Sequence, residues 1–196
     1  MKYRLHFVGN EDYAMTNSNI PPQLHVGRIK PTKEFIRPIM NQETGKKPWG
    51  GLWTSTFLGE EAGSGWVQNC LKNEIFIPEG GMWSSWLLTP SKQAKIFIID
   101  GPEDADTLYE KYGYYPFGEP VIPLLGEGMK GINFEKMKEE WDAVHLTFKG
   151  FGTTRCRFDN FSHELYGWDS ESTVWFRFLF EEVKELGEIK YTKVEW

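Results

Sequence analysis

The sequence KKPWGGLWTSTF, residues 46–57, contains two lysines, a Pro-Trp turn, a pair of glycines and an alternating strand. Glycines allow the backbone to turn sharply or to approach a ligand, because no Cβ stands in the way. In the strand, Trp53, Ser55 and Phe57 share one face, since side chains alternate with period two. The pattern predicts a shallow platform where a flat ring could stack and be hydrogen-bonded, although an ordinary half-buried strand fits it too.

The length and the cysteine content favour one domain in a reducing compartment. A chain of 196 residues can bury about 70% of its unfolded surface, so we treat residues 1–196 as a single domain. Cys70 and Cys156 stand far apart, which excludes a cysteine metal knuckle or a disulfide framework. No apolar stretch has the length of a signal peptide core or of a membrane span. We expect a cytoplasmic protein that does not associate with membranes.

The charge and the motif content exclude several classes of function. A net charge of −6 argues against a broad, nonspecific nucleic-acid surface, although a local basic patch remains compatible with it. The sequence contains no HExxH, GxSxG or P-loop motif and no GxGxxG at a strand-to-helix turn. We therefore expect no bound metal, and hydrolase, phosphoryl-transfer and dehydrogenase chemistry are disfavoured.

Periodicity predicts an α+β fold that is dominated by antiparallel sheet, with about eight strands and two or three short helices. Helices are predicted at 66–73, 102–112 and 133–141. Lys2–Val8 and Gln23–Ile29 are the first predicted strands, and Met82–Thr89 and Ala94–Asp100 form a predicted hairpin.

Apolar and polar residues also alternate in the C-terminal third of the chain. In the strand that begins at Ala143, Val144, Leu146 and Phe148 are predicted to face a core, with His145 turned away. Residues 150–152 are predicted to form a glycine turn, and 155–158 a short strand or a connection. A strand is expected to run to Phe180, and 189–196 is predicted to be a closing edge strand.

Polar residues in two stretches are candidates for chemistry. Asp169 and Glu171 start a strand on one face, where mutual repulsion would raise the pKa of one of them. An ionised carboxylate beside a sugar can stabilise an oxocarbenium-like transition state, and its neighbour can deprotonate a nucleophile. A solvated strand start is the alternative. His25 and Arg28 lie three residues apart, so they reach one cleft only if Gly27 bends the strand.

The order of Arg28, then 54–56 (Thr-Ser-Thr), then 169–171 (Asp-Ser-Glu) resembles the Arg, Ser-Thr-Ser and Glu-x-Glu series of the ADP-ribosyltransferase superfamily. The glycine pair with Trp53 is similar to the Gly-Gly-Arg-Trp stretch of NAD-degrading toxin domains. The middle and last motifs depart from the pattern by a Thr-Ser-Thr order and an aspartate. The resemblance implies a mostly antiparallel split β-sandwich with a few peripheral helices and a cleft for NAD.

The resemblance also implies roles for individual residues. Arg28 or His25 would hold the phosphates or the ribose of NAD, and Ser55 would support the nicotinamide ribose. Glu171 would stabilise positive charge at the anomeric carbon, and Asp169 would orient the acceptor. The remaining residues expected to bind NAD are Gly51, Trp53 and Thr54.

The implied function is an NAD-dependent ADP-ribosyltransferase that uses NAD as a substrate and releases nicotinamide. The acceptor would be a protein or a nucleic acid, or water in an NAD glycohydrolase. The alternative is a noncatalytic module in which Trp49, Trp53, Trp83 and Trp86 stack on a glycan or on single-stranded nucleic acid. An interaction or inhibitor protein with aromatic hot spots is a third possibility.

Overall fold

The computed structural model describes residues 2–7, 19–42, 46–78, 80, 82–116, 118 and 130–194, with no side-chain detail for 2–7, 161 and 191–194. Its strands are β1 (Lys2–Phe7), β2 (Gln23–Gly27), β3 (Arg37–Met40), β4 (Trp49–Thr56), β5 (Met82–Pro90), β6 (Ile96–Ile99), β7 (Gly113–Tyr114), β8 (Gly131–Ile132), β9 (Ala143–Leu146), β10 (Ser172–Trp175) and β11 (Phe180–Val194). Its α-helices are α1 (Gly65–Asn73), α2 (Pro102–Tyr112), α3 (Phe134–Glu140) and α4 (Phe148–Thr154). Single 3₁₀ turns lie at Lys33–Phe35 and Phe161–His163.

The large sheet is mixed but mostly antiparallel. Its strands follow the order β1-β11-β5-β2-β4-β10-β9-β6, and β3 also pairs with β4, while β7 and β8 form a separate two-stranded sheet. The pairing of β6 with β9 is parallel, and the other strand pairs among the described residues are antiparallel. This arrangement confirms the predicted α+β class. None of the helices in the described part of the chain is long and apolar enough to cross a membrane.

Three local predictions are wrong. Met82–Thr89 and Ala94–Asp100 do not form a hairpin, because β5 pairs with β2 and β11 while β6 pairs with β9. Residues 189–194, the described part of the predicted edge strand, belong to the 15-residue β11, which lies between β5 and β1. The predicted glycine turn lies inside α4. Of the two alternatives for 155–158, the structure shows the connection. The sequence also predicts an aromatic loop at 113–131, much of which lies outside the described residues.

Both faces of the sheet are covered. On one face Val144, Leu146 and Val174 pack against α2 and α3, and on the other Leu52 and Trp175 belong to a second cluster. As a result the four residues of β9 are all buried, and His145 is 4% exposed instead of facing solvent. A strand that is buried on both faces loses the usual alternation of apolar and polar residues.

The N-terminus of helix α1 is capped. The side chain of Ser64 accepts a hydrogen bond from the backbone N–H of Val67, as an N-cap serine does. Val67, Cys70 and Leu71 face a third apolar cluster with Leu24 of β2 and Leu87 of β5. This packing fixes the first turn of α1 over the end of β4.

Helix α4 supplies a matched test of the fold. A Cβ added at Gly150 would lie 2.1 Å from the carbonyl oxygen of Ile99, whereas one at Gly152 would meet nothing within 4 Å. We expect Gly150→Ala to lower the free energy of unfolding by about 2 kcal/mol or more, because the helix must move away from β6. Gly152→Ala should raise it by about 0.5–1 kcal/mol through helix propensity. Urea unfolding of both variants checks this, and equal effects would contradict the packing.

Candidate functional site

A gap in the sheet opens beside β4. Strand β2 pairs with β4 only through Gln23 and Leu24, and β3 pairs with it through Arg37 and Met40. Between these two pairings, the backbone carbonyl of Trp53 is bound by the ring of His25 at 2.9 Å. The ring of His25 therefore makes the hydrogen bond that a neighbouring strand would otherwise make to this carbonyl.

A cavity of about 490 Å³ lies at this gap. A cavity of this size can hold a nucleotide-sized ligand. It is lined by residues of β2, β3, β4, β10, α1 and the segments before β3, β4 and β10: Leu24, His25, Val26, Phe35, Arg37, Gln42, Lys47, Pro48, Trp49, Gly50, Gly51, Trp53, Thr54, Ser55, Trp66, Asp169, Ser170 and Ser172. The surface of the wall is mainly apolar, although half of the lining residues have polar side chains.

Trp53 forms a fixed aromatic surface in this wall. Its indole N–H donates to the carbonyl of Gly50 at 3.2 Å, and its ring packs edge-on against Trp168 with the centroids 5.2 Å apart. The ammonium of Lys47 lies 5.4 Å from the ring centroid, within the range of a cation–π contact. A flat ligand ring can therefore meet an indole whose orientation is already set.

The glycine pair allows β4 to lie close to its neighbouring strands. Gly51 has a φ of +68°, and a Cβ there would lie 2.8 Å from a side-chain carbon of Val174. Gly50 has a φ of +81°, and its Cβ would overlap the carbonyl of Pro38. The glycines thus let β4 pass closely between β3 and β10. The close approach predicted for a ligand is in fact an approach between strands, although both glycines also line the cavity.

His25 presents an unused hydrogen-bond acceptor. Its Nδ1–H donates to the carbonyl of Trp53, and burial lowers its pKa, so the ring is neutral and its Nε2 carries a lone pair. The Nε2 atom is buried and has no hydrogen-bond partner among the described residues. A buried polar atom without a partner costs free energy, and a ligand hydroxyl or N–H would remove that cost.

Charged groups of both signs border the cavity. Lys47 donates to a carboxylate oxygen of Asp169 at 2.7 Å, and both side chains are partly exposed. Arg37 is exposed and also lines the cavity. The site therefore combines an ion pair with a second cation.

Glu171 lies behind the wall and is 1% exposed. Its carboxylate accepts from the Ser55 hydroxyl at 2.7 Å, from the Thr56 hydroxyl at 2.7 Å and from the Thr56 backbone N–H at 3.0 and 3.1 Å. Burial raises its pKa, while these hydrogen bonds oppose the rise. Glu171 is therefore a buried acceptor, not the solvated strand start that was the alternative interpretation. Ser55 connects it to the cavity, because Ser55 lines the wall.

The donors behind Glu171 form one continuous network. The side-chain oxygen of Gln23 accepts from Thr54 at 2.9 Å and from Thr173 at 2.8 Å. Thr173 in turn accepts from the Nδ1–H of His145 at 2.7 Å. The amide nitrogen of Gln23 points to the Thr56 hydroxyl at 3.5 Å. Each hydroxyl proton thus points towards Gln23 or Glu171.

The structure brings most of the predicted site residues together. His25, Gly51, Trp53, Thr54, Ser55 and Asp169 line the cavity. Arg28 is exposed and does not line it, because its side chain leaves β2 beyond the last pairing with β4. Glu171 contacts Ser55 directly but is absent from the wall.

Sequence reasoning missed part of the wall and placed two tryptophans wrongly. Phe35, Arg37 and Trp66 line the cavity but were not predicted to. They lie in a 3₁₀ turn, a four-residue strand and the first turn of a helix, which are too short to show a clear periodicity in the sequence. Trp83 and Trp86 are 5% and 4% exposed, so the predicted platform of four tryptophans does not form.

Comparison with known proteins adds no assignment. No protein-family model, curated protein or solved structure matches this chain. The resemblance to the ADP-ribosyltransferases therefore rests on the sequence motifs alone.

Because His145 is buried in the network, we expect the stability of the protein to depend on pH. Burial lowers the pKa of His145 from 6.5 to about 4, so the unfolded chain binds the proton more tightly. Stability should therefore be fully present above pH 6.5 and fall as the pH drops towards 4, by roughly 3 kcal/mol from this residue. Asn at this position can keep the donor to Thr173 without titrating. Urea unfolding across this range should show a flatter profile for His145→Asn, and parallel profiles would contradict the prediction.

Proposed function

We propose that this protein is an NAD-dependent ADP-ribosyltransferase whose site is the cavity beside β4. The observation that carries the proposal is the direct contact between the two motifs. Ser55 and Thr56 bind Glu171 across neighbouring strands, and Ser55 also faces a cavity that contains an aromatic wall and two cations.

The cavity offers a partner for each chemical part of NAD. The fixed indole of Trp53 can stack on the nicotinamide ring. The free Nε2 of His25 can accept from a ribose hydroxyl, which supports the His25 alternative over Arg28. Arg37 and Lys47 can bind the diphosphate, because cations on the wall suffice despite the acidic total.

The proposed reaction breaks the bond between the ribose C1′ and the nicotinamide nitrogen. The bonding electron pair goes to that nitrogen, which leaves as neutral nicotinamide, and positive charge develops at C1′ and the ring oxygen. Glu171 stabilises this charge, since its carboxylate is buried next to the wall, where the charge–charge interaction is weakly screened. Ser55 holds both the carboxylate and the nearby wall in place.

The second half of the reaction joins the acceptor to C1′. A lone pair of the acceptor forms the new bond, and its proton passes to a base. Asp169 is the carboxylate on the wall, and Lys47 fixes its position. We assign Asp169 to the macromolecular acceptor. When water is the acceptor, its proton passes to the solvent, so hydrolysis does not need Asp169.

The two carboxylates should differ in kinetic effect. We expect Glu171→Gln to lower nicotinamide release from NAD by about 100-fold or more, because it removes the charge that stabilises the transition state. Asp169→Asn should retain most of the release by hydrolysis but lose transfer to a nucleophile. Chromatographic detection of nicotinamide, with and without cell extract, measures both.

A control separates chemistry from folding. Glu171 accepts three buried donors, so its replacement also costs stability. Thr173→Val disturbs the same network but leaves the donors to the carboxylate intact. At a temperature where both variants are folded by circular dichroism, Thr173→Val should keep most of the activity. Full turnover by Glu171→Gln would refute the assignment.

His25 can be tested for NAD binding alone. In His25→Asn the amide nitrogen can still donate to Trp53, while the acceptor corresponding to Nε2 is lost. We expect the Kd for NAD to rise about fivefold with little change in stability. Isothermal titration calorimetry measures the affinity, and an unchanged Kd would exclude a ribose contact at this atom.

A noncatalytic nucleotide-binding protein is the second candidate. It is favoured by the full set of hydrogen bonds on Glu171 and by its absence from the cavity wall. NAD binding that depends on His25 without nicotinamide release in any condition would support it.

A further inference from the structure

Positive charge is concentrated on the segment that borders the cavity. Residues 19–58 contain six lysines and arginines against two glutamates, although the whole chain has a net charge of −6. Four of these cations are exposed on the segment that runs from the end of β2 to β3: Arg28, Lys30, Lys33 and Arg37. We call this set the basic arm. It presents a local surface that fits an anionic partner.

The basic arm leads into the cavity. Arg37 belongs to the arm and also lines the cavity, and Phe35 connects the two in the chain. None of the ion pairs formed within the described part of the chain involves an arm residue. Only Glu34 among residues 19–42 carries a negative charge. These cations are therefore positioned to bind phosphate groups next to the site.

An exposed aromatic ring stands where the arm meets the cavity. Trp49 is 62% exposed and lines the cavity, and it pairs across the strands with Met40, which is 54% exposed. Trp49 and Met40 thus form adjacent exposed apolar surface beside the cations, and contiguous apolar surface is a feature of interaction sites. Cations along a backbone path with an aromatic platform are the features that bind single-stranded nucleic acids.

We propose that the acceptor for the ADP-ribose is a base in a single-stranded nucleic acid, bound by the basic arm and stacked on Trp49. The role of acceptor rests on the proposed function, while the binding does not. A single strand is favoured over a duplex because a paired base can neither stack on Trp49 nor expose its nitrogen to the cavity. In the reaction, the lone pair of a base nitrogen forms the bond to C1′ as nicotinamide leaves with its electron pair. The N–H proton of the base passes to Asp169.

The binding is tested without NAD. The probe is a fluorescein-labelled DNA strand of about 12 nucleotides, measured by fluorescence anisotropy between about 50 and 200 mM salt. We expect Arg28→Gln/Lys30→Gln/Lys33→Gln to weaken binding at least about tenfold and to lower the salt slope by about two. The matched control, Lys72→Gln/Lys92→Gln/Lys95→Gln, removes three exposed lysines outside the cavity lining and should change the affinity less than about twofold.

Trp49→Ala separates stacking from charge. It should weaken binding several-fold with an unchanged salt slope, since stacking releases no counterions. No binding by the wild type, an equal loss in the two triple variants, or tighter binding of the same sequence as a duplex would overturn the proposal.

Transfer is then measured with NAD that is labelled in its adenylate half. Label on the single strand that is lost in the arm variant, while NAD hydrolysis continues, supports the acceptor. Nicotinamide release without label on the strand overturns the acceptor but leaves the proposed function intact. Binding of the strand without any consumption of NAD refutes both transfer steps and leaves a binding surface only.

Discussion

The bond between Glu171 and the end of β4 is the interaction on which the site depends. A buried carboxylate is tolerated only if donors surround it, and Ser55 and Thr56 supply these donors from adjacent positions of one strand. The Ser55 hydroxyl also accepts from the backbone N–H of Trp66, in the first turn of α1. One residue thus joins β4, the segment before β10 and helix α1. Its loss would disturb the position of all three around the cavity.

The direction of the hydrogen bonds follows from the groups that can only donate. The indole N–H of Trp175 donates to Thr54, whose own proton must then point to Gln23. The amide nitrogen of Gln23 faces Thr56, which directs the Thr56 proton to Glu171. The network is therefore satisfied with an ionised Glu171, and a protonated one would bring two protons together. Burial and the network act on the pKa in opposite directions, which suits a group that must remain charged in an apolar setting.

The sequence predicts the strands that carry the site better than it predicts how they pair. The alternation at 171–175 correctly groups Glu171 with Thr173, since Gln23 and Thr56 connect them in one network. It fails for the partners of β5 and β6, because pairing is decided by contacts between residues distant in sequence. Burial on both faces likewise hides the position of His145. The position of the cavity depends on where β2 and β3 stop pairing with β4. No local sequence pattern predicts these positions.

The cavity lies where the pairing of β4 with its neighbours on one edge is interrupted. Two strands share one edge of β4, so a stretch of its backbone between them has no strand partner on that edge, and His25 fills this position with a side chain. A neutral imidazole that donates at Nδ1 can accept at Nε2, which leaves a buried acceptor without a partner at the gap. The Nε2 acceptor of His25 and the carboxylate of Glu171 are thus buried near the gap, whereas the cations of the basic arm are exposed. A ligand with phosphates at one end and hydroxyls at the other matches this division of charge.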